Sequence, residues 1–426
     1  MKIKGIIRSF KKNTRARQVL GLFSVNIIGL PIGIITSIVI TRYLGAQEYG
    51  DYRFIQSIFN FAIIIFSFGF FQAGNRALVL NHDKQKAKEY FGAELIITGG
   101  LFILMSISLV LYALIDKNLQ DKGLDKFLLF VIPFGWVFLL NRYFETLFQA
   151  DNQIRKLGEV RLYPKIGFLL AALLIYFVLM NVQTNRLAVI YGLYLLTEIV
   201  VYIIILLRLN VSFKNFKQRF QEIWYYNKTF GFNVYLGSIF AVGFAQLTEI
   251  LISYFGIDNS GVGFYSLAIT FTLPLSFIPN TIATTHYKDF SISKKVPRKL
   301  LLITFGLSAV ALLSLWLLVP PFVTYLYGKE FESVIRLNFI VSFGVIAHGF
   351  GDFFNRYLGA NGQGVALRNS AFIVGGCTML LNLLLIPKWG ENGAVYARLV
   401  SGFVYLILML IFYLRFINRN IKHMSH

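Results

Sequence analysis

Apolar stretches long enough to cross a bilayer recur along most of the chain and are separated by short polar segments. A hydrocarbon core of about 30 Å needs roughly 20 apolar residues in helical conformation. The pattern therefore predicts an all-α polytopic membrane protein with twelve transmembrane helices. The predicted spans are 18–43, 54–80, 91–115, 127–150, 160–180, 188–208, 229–255, 262–287, 299–327, 334–359, 366–387 and 393–417.

Composition agrees with a protein whose solvent is lipid. Of 426 residues, 56% are hydrophobic and 14% are charged, which is more apolar surface than a water-soluble domain of this length buries. The net charge of +21 is spread over short loops, so we expect no nucleic-acid partner, which would require a basic folded surface. The single cysteine, Cys377, lies in an apolar run, and this predicts neither a disulfide nor a cysteine-rich metal site.

The distribution of Lys and Arg predicts the orientation of the chain, because cytoplasmic loops collect basic residues. Most of the 41 Lys and Arg lie in the two ends and the even-numbered connections, which places both termini in the cytoplasm. The longest connection carries aromatic residues at helical spacing, so it is either an amphipathic helix on the inner leaflet or a simple tether. The predicted organisation is a basic N-terminus at 1–17, an N-lobe of helices one to six at 18–208, this inter-lobe segment at 209–228, a C-lobe of helices seven to twelve at 229–417, and a tail at 418–426.

A weak internal repeat supports two six-helix lobes. The segment Arg42–Gly50 is echoed by Ser253–Gly261, and a second echo occurs at nearly the same offset. The second echo sets Phe144, Ala150 and Gln153 against Phe354, Ala360 and Gln363. Parallel repeats with a path between them are a known transporter design.

Two motifs resemble a known family. The sequence Tyr-Leu-Gly-Ala-Gln-Glu-Tyr-Gly-Asp-Tyr at 43–52 follows the first span, and Leu-Ile-Pro-Lys-Trp-Gly-Glu-Asn-Gly-Ala-Val-Tyr-Ala at 385–397 joins the last two. Both resemble the polysaccharide flippases (O-antigen, Wzx-type) of the multidrug/oligosaccharidyl-lipid/polysaccharide exporter superfamily. The likeness extends over the length of the chain, the twelve spans and the two lobes.

The resemblance implies a transporter and not an enzyme. It implies a multi-pass protein of the bacterial inner membrane that turns an undecaprenyl-pyrophosphate-linked oligosaccharide, such as an O-antigen repeat unit, from the cytoplasmic to the periplasmic leaflet. It further implies alternating access of two lobes around a cationic central cavity. The expected partners are this substrate, the lipid bilayer, and the polymerase and chain-length regulator of the same pathway.

Charged residues within or at the ends of predicted spans are the candidate functional residues, because a charge in hydrocarbon is unfavourable unless it faces a cavity, a partner or water. Guanidinium suits a pyrophosphate, since its planar fork donates paired hydrogen bonds. The predicted substrate-binding residues are Arg142, Arg356, Arg398, Arg42, Arg53 and Arg76. Two alternatives stay open: Glu145 and Asp352 could neutralise Arg142 and Arg356 on the same helix face. The arginines near span ends could extend to lipid head groups.

Glu249, in the seventh span, has no arginine within a helical turn. A lone carboxylate at that depth is expected to be protonated, ion-paired across helices or bound to a cation. Thr378 and Asn382 in the eleventh span offer neutral oxygens, and some relatives in the superfamily hold sodium with a carboxylate of helix seven and polar groups of the last two. We therefore predict a coupling site of Glu249, Thr378 and Asn382 for sodium or protons, with an inter-helix hydrogen bond as the alternative. No other cofactor or metal is expected.

Other functions are less compatible with this sequence. A membrane-embedded polysaccharide polymerase would carry a large periplasmic loop with catalytic residues, and the predicted periplasmic connections are short. A multidrug or other amphiphile exporter of the same superfamily is the nearer alternative. Such exporters usually use acidic cavities that attract cations, whereas the excess of intramembrane arginine favours an anionic cargo.

The predicted topology can be tested with single cysteines introduced into a Cys377→Ala background. An impermeant thiol reagent added from the periplasmic side should label Glu48→Cys, Lys122→Cys and Lys329→Cys, because these positions lie in odd-numbered connections. Lys217→Cys should react only after the membrane is permeabilised. Labelling of Lys217→Cys in intact spheroplasts would contradict the topology.

Overall fold

The computed structural model describes residues 14–81, 83–179, 185–293 and 295–422. Parts of the predicted cytoplasmic ends, 1–13 and 423–426, lie outside the described residues. Within the described residues every regular element is a helix, and the all-α prediction is confirmed. Lipid offers the backbone no hydrogen-bond partner, and a helix satisfies its own N–H and C=O groups, so apolar stretches of this length fold as helices.

The described chain forms the α-helices α1 to α16. The first eight are α1 Thr14–Phe66, α2 Phe70–Val79, α3 Lys84–Ile115, α4 Lys117–Asp121, α5 Asp125–Val131, α6 Trp136–Ala150, α7 Ile154–Leu179 and α8 Arg186–Arg208. The last eight are α9 Phe216–Tyr226, α10 Phe232–Ser238, α11 Phe244–Phe255, α12 Ser260–Thr285, α13 Tyr287–Ile292, α14 Arg298–Phe322, α15 Ser333–Ala360 and α16 Gly364–Lys422. Single π-helical turns join α9 to α10, join α10 to α11 and follow α14.

Residue contacts divide the described chain into two units, and each is described by itself. The first unit contains the residues up to Leu44 together with Phe59–Leu236. The second unit contains Gly45–Ile58 and the residues from Gly237 onward. The predicted inter-lobe segment 209–228 therefore lies inside the first unit.

The helix within that segment is anchored by a buried charge. α9 packs on α2 and α3, and its Arg219 is only 4% exposed. Arg219 lies 3.2 Å from Glu89 of α3 and 2.6 Å from Glu222 one turn further along α9. Asn215, just before the helix, also donates to Glu89 at 3.1 Å. These contacts make the segment a packed helix of the first unit rather than a loose tether.

The number of spans depends on how interrupted helices are counted. By length and apolarity alone, the described part of the chain contains eight helices able to cross a membrane, or nine when the bent pair Asp125–Phe134 and Trp136–Ala150 is one span. α1 and α16 are each interrupted by a glycine with a non-helical backbone, at Gly45 and Gly390. Each of these helices is long enough to contain two of the predicted spans. The total of twelve stays a prediction.

Two predicted spans are not continuous helices. The predicted helix 54–80 is wrong at its centre, because Phe68 and Gly69 have φ of +43° and +82° and separate α1 from α2. The predicted helix 127–150 bends by 44° beside Pro133, which lacks a backbone donor. Interruptions of this kind cannot be seen in hydropathy, since the residues that cause them are themselves apolar.

In the second unit, α15 is the helix that brings the polar residues together. It packs against both α12 and α16, and α11 packs on α16. A cluster of buried aromatic residues fills one part of this packing, and it includes Phe290, Phe353, Tyr357, Tyr405 and Tyr413. Asp352 of α15 lies beside this cluster and accepts a hydrogen bond from its Tyr405.

Candidate functional site

The first resemblance motif is a packing element of the second unit. After the interruption of α1 at Gly45, the motif runs against the connection between α11 and α12. A Cβ at Gly50 would collide with the backbone of Asn259, so only glycine permits this approach. The Asn259 side chain donates to Asp51 Oδ1 at 2.7 Å. The two echoed segments of the internal repeat therefore touch each other directly.

The second resemblance motif lies in the same unit. α16 is interrupted at Gly390, whose φ is +54°. The adjacent Glu391 reaches the start of α12, where its Oε2 would lie 2.9 Å from a Cβ placed on Gly261. Within the first motif, the Ala46 N–H donates to Glu330 Oε2 at 3.3 Å. These contacts fix the ends of the helices whose side chains form the candidate site.

An ion pair joins α1 to α11 within the second unit. Arg53 Nη2 lies 3.3 Å from Glu249 Oε1, and the two side chains are 31% and 13% exposed. Arg53 Nη1 also donates to Gln56 Oε1 at 3.1 Å, and Gln56 in turn donates to the Tyr52 hydroxyl at 2.8 Å. Both charges therefore have partners, as charges in a low-dielectric site require. Arg53 is the more accessible member of the pair.

Tyr265 connects this ion pair to Arg398. Tyr265 of α12 is buried, lies within electrostatic reach of both Glu249 and Arg398, and makes a hydrogen bond to Thr248. The Nε of Arg398, on α16, is buried and has no hydrogen-bond partner among the described residues. An unsatisfied guanidinium donor is unfavourable, and an anion would supply the acceptor that it lacks.

The row of charges continues along α15. Asp352 lies within electrostatic reach of Arg398 and Arg356, and it accepts a hydrogen bond from the Tyr405 hydroxyl at 3.0 Å. Arg356 is exposed and donates to Asn280 Oδ1 of α12 at 3.4 Å. We call this row the polar track, and its members are Arg53, Glu249, Tyr265, Arg398, Asp352 and Arg356.

The polar track holds more positive than negative charge. It combines three arginines with two carboxylates, and all its members belong to the second unit. A guanidinium stays charged at physiological pH and donates paired hydrogen bonds in a plane, which matches the oxygens of phosphate and carboxylate groups. The polar track can therefore bind an anion.

The structure brings three of the six predicted arginines into the polar track and leaves the other three in the first unit. Arg142 and Arg42 are exposed there. Arg76 is exposed as well, and its guanidinium lies 5.4 Å from the centre of the Phe230 ring. The role of these three residues in substrate binding stays a prediction.

Within the described part of the chain, neither Arg142 and Glu145 nor Arg356 and Asp352 form an ion pair within 4.0 Å. Glu145 pairs instead with Arg161 of α7, at 2.9 Å, and leaves Arg142 to other interactions. Asp352 and Arg356 each take a neutral hydrogen-bond partner. Arg142 thus has no ion-pair partner on its own helix, and Asp352 acts on Arg356 electrostatically without a direct ion pair.

The three residues of the predicted coupling site have separate partners. Glu249 forms an ion pair with the Arg53 guanidinium. An ion pair across helices was one of the three states expected for this carboxylate. Asn382 donates to the Thr248 hydroxyl at 2.8 Å, and Thr378 donates to the Val374 carbonyl at 2.8 Å. No group of three His, Cys, Asp or Glu side chains suited to a metal occurs among the described residues. Ion coupling at Glu249 stays a prediction.

Sequence reasoning missed the neutral members of the site. Tyr265, Gln56 and Asn280 hold or connect the charged residues, yet an uncharged side chain in an apolar helix leaves little trace in hydropathy. Gln56 did carry a usable signal, because it lies three residues after Arg53 and hence on the same helix face. No comparable signal marks Tyr265 or Asn280.

The long apolar helices define a multi-pass membrane protein. Comparison with known sequences assigns the family. The chain belongs to the polysaccharide biosynthesis protein family, whose sequence model matches residues 16–287. A similar protein is the capsular polysaccharide biosynthesis protein CapF of Staphylococcus aureus, 23% identical over 412 residues that cover 92% of this chain and 98% of CapF. The resemblance seen in the two motifs is confirmed.

Solved structures agree on the fold. A structure of the lipid II flippase MurJ in an inward closed conformation matches with a TM-score of 0.70 and 14% identity, over 92% of this chain and 87% of MurJ. An inward-facing multidrug resistance MATE transporter matches with a TM-score of 0.67 and 12% identity, over 95% of this chain and 99% of the transporter. These neighbours are transporters and share their fold with this chain.

The Arg53–Glu249 ion pair can be tested by a double-mutant cycle. Arg53→Gln and Glu249→Gln should each lower thermal stability in detergent, because each leaves one charge without its partner. The double variant should recover part of the loss, with a coupling energy of about 0.5–3 kcal/mol. Arg368→Gln, at an exposed position whose hydrogen bonds are to the adjacent Asn369, is the control. Additive effects of the two substitutions would show that the pair does not form.

Proposed function

We propose that this protein moves an oligosaccharide linked to undecaprenyl pyrophosphate from the cytoplasmic to the periplasmic leaflet of the bacterial inner membrane by alternating access. Both termini lie in the cytoplasm. The observation that carries the proposal is the surplus of arginine in the polar track, within otherwise apolar helices. A pyrophosphate carries several negative charges, and acidic sugars add more, so such a head group needs cationic partners to leave water.

Two arginines are suited to receive the pyrophosphate. Arg398 has a buried donor without a partner among the described residues, so an anion gains a charge-assisted hydrogen bond there. Arg53 is partly exposed and already holds a carboxylate, which a more highly charged pyrophosphate can displace. Binding would therefore exchange one anion for another at Arg53 without leaving the guanidinium unpaired.

Ion coupling follows from the same exchange. When the cargo occupies Arg53, Glu249 loses its cation, and a carboxylate that remains in a low-dielectric site takes up a proton or binds sodium. The exchange would then load one cation with each anionic cargo. Thr378 and Asn382 are the neutral groups proposed to assist at this site.

The described functions of two relatives support this class of cargo. One relative is described as a capsular polysaccharide biosynthesis protein and a structural neighbour as a lipid II flippase. The cargo class accordingly includes repeat units of O-antigen, capsule and exopolysaccharide. A polymerase and a chain-length regulator of the same pathway are the proposed protein partners.

Multidrug export is the second candidate function, because a multidrug resistance transporter shares the fold. The two functions differ in the charge of the cargo. A cationic drug would meet the net positive charge of the polar track and be repelled, whereas a pyrophosphate would be attracted. The charge of the track therefore favours the saccharide.

Substitution of Arg398 tests the proposed function most directly, because its buried Nε has no partner among the described residues. Proteoliposomes containing the protein and a fluorescent undecaprenyl-pyrophosphate oligosaccharide report flipping through the head group's accessibility to an added quencher. Arg398→Ala should reduce the flipping rate about 10- to 100-fold, which corresponds to about 1.5–3 kcal/mol for a hydrogen bond to a charged group. Arg398→Lys should recover only part of the rate, since lysine lacks the planar fork.

Arg368→Ala is the matched control, because it removes an exposed arginine of the same helix that lies outside the polar track. It should flip at the wild-type rate. Wild-type flipping by Arg398→Ala would remove Arg398 from the site. Transport of a cationic dye without any flipping of the saccharide by the wild-type protein would favour the multidrug function instead.

A further inference from the structure

Glu94 of α3 is an acidic side chain that the polar track does not explain. It is 1% exposed, and neither of its carboxyl oxygens has a hydrogen-bond partner among the described residues. Glu249 and Glu89, by contrast, each face a guanidinium. An ionised carboxylate without a partner is strongly unfavourable in such a site, so Glu94 is neutral in this arrangement and carries its proton.

The Glu94 carboxyl group lies against the backbone of α2. A Cβ on residue 74 would be 2.5 Å from Glu94 Oε1, so the carboxyl group occupies this position because residue 74 is glycine, and a larger residue would displace it. α2 has only ten residues and is separated from α1 by the break at Phe68 and Gly69. Phe68, at φ +43°, is a bulky residue in a strained conformation. α2 is therefore a short helix that packs on α3, α6 and α9, and Glu94 forms part of its contact with α3.

No charged side chain among the described residues makes an ion pair or hydrogen bond with Glu94, although α2, α5, α6 and α9 all pack against α3. α6 contributes the ionisable neighbour Tyr143, whose hydroxyl donates instead to the Phe91 carbonyl at 2.9 Å. α9 contributes Arg219, which pairs with Glu89. α2 presents Gly74 at the contact. An ionised Glu94 would thus find no counter-charge while these helices stay packed.

Ionisation of Glu94 consequently requires water, and separation of α2 from α3 would let water reach the carboxyl group. The packed arrangement holds one proton that the separated arrangement releases to water. Because the separated arrangement binds fewer protons, it becomes more populated as pH rises. Protonation of Glu94 and the contact between α2 and α3 therefore stabilise each other.

We propose that Glu94 is a proton-binding site that holds α2 against α3, so that release of its proton opens this contact. The site lies wholly within the first unit and is separate from the Arg53–Glu249 ion pair. It does not depend on the identity of the cargo.

Hydrogen–deuterium exchange of the α2 amides tests this site in the full chain reconstituted in nanodiscs. Measurements between about pH 6 and pH 8 are expressed as protection factors, which removes the intrinsic pH dependence of amide exchange. Release of one proton on opening makes wild-type protection fall about tenfold per pH unit. Glu94→Gln has nearly the same shape and cannot ionise, so its α2 should stay protected with no dependence on pH.

Glu159→Gln is the control, because Glu159 of α7 pairs with Arg155 and lies outside the α2–α3 contact. In this variant, protection of the α2 amides should fall with pH as steeply as in the wild type. If protection of the wild-type α2 amides does not change with pH, the proposal is wrong, even if Glu94→Gln fails to fold. The proposal is also wrong if protection of the α2 amides changes equally with pH in the wild type and in Glu94→Gln. Transport does not enter the measurement, so its outcome is independent of the proposed function.

Discussion

A charge in hydrocarbon must find a partner within the protein, and this constraint shapes the whole structure. The same lack of solvation makes every regular element of the described chain a helix, since a helix pairs its own backbone groups. It joins Arg53 of α1 to Glu249 of α11, although 196 residues separate them in sequence. At Glu94, where no partner lies among the described residues, the same constraint favours a neutral acid.

Close backbone contact is the second feature on which the site depends. Transmembrane helices gain little from the hydrophobic effect against one another, so they associate through tight packing at small residues. Gly50 against Asn259 in the second unit and Gly74 against Glu94 in the first are contacts of this kind. The first motif that carried the family resemblance thus serves packing. Because Gly50 is held against Asn259, the position of Arg53, three residues further along the chain, is fixed as well. Sequence similarity in these motifs indicates the scaffold more directly than the cargo.

The sequence predicted the helical class and the family, because apolar length and two local motifs are sufficient for both. It also selected the charged residues that include Arg53, Glu249 and Arg398. It could not pair them, since the hydrophobic pattern of one helix carries no information about which helix lies beside it. The break at Phe68 was equally hidden, because an apolar residue in a left-handed conformation reads like any other apolar residue. Arg219 lies in the segment predicted to be an amphipathic helix or a tether, and its burial against Glu89 depends on a helix far away in sequence.

The central claim is that this protein carries a lipid-linked saccharide across the membrane. The most direct measurement is depletion of the protein in its own cells, followed by identification of the undecaprenyl-pyrophosphate oligosaccharide that accumulates and a test of its exposure to an impermeant sugar-modifying reagent in spheroplasts. We predict that the accumulated oligosaccharide is shielded in depleted cells and becomes modified when the protein is restored. Accumulated oligosaccharide that is modified equally in depleted and restored cells would contradict the account.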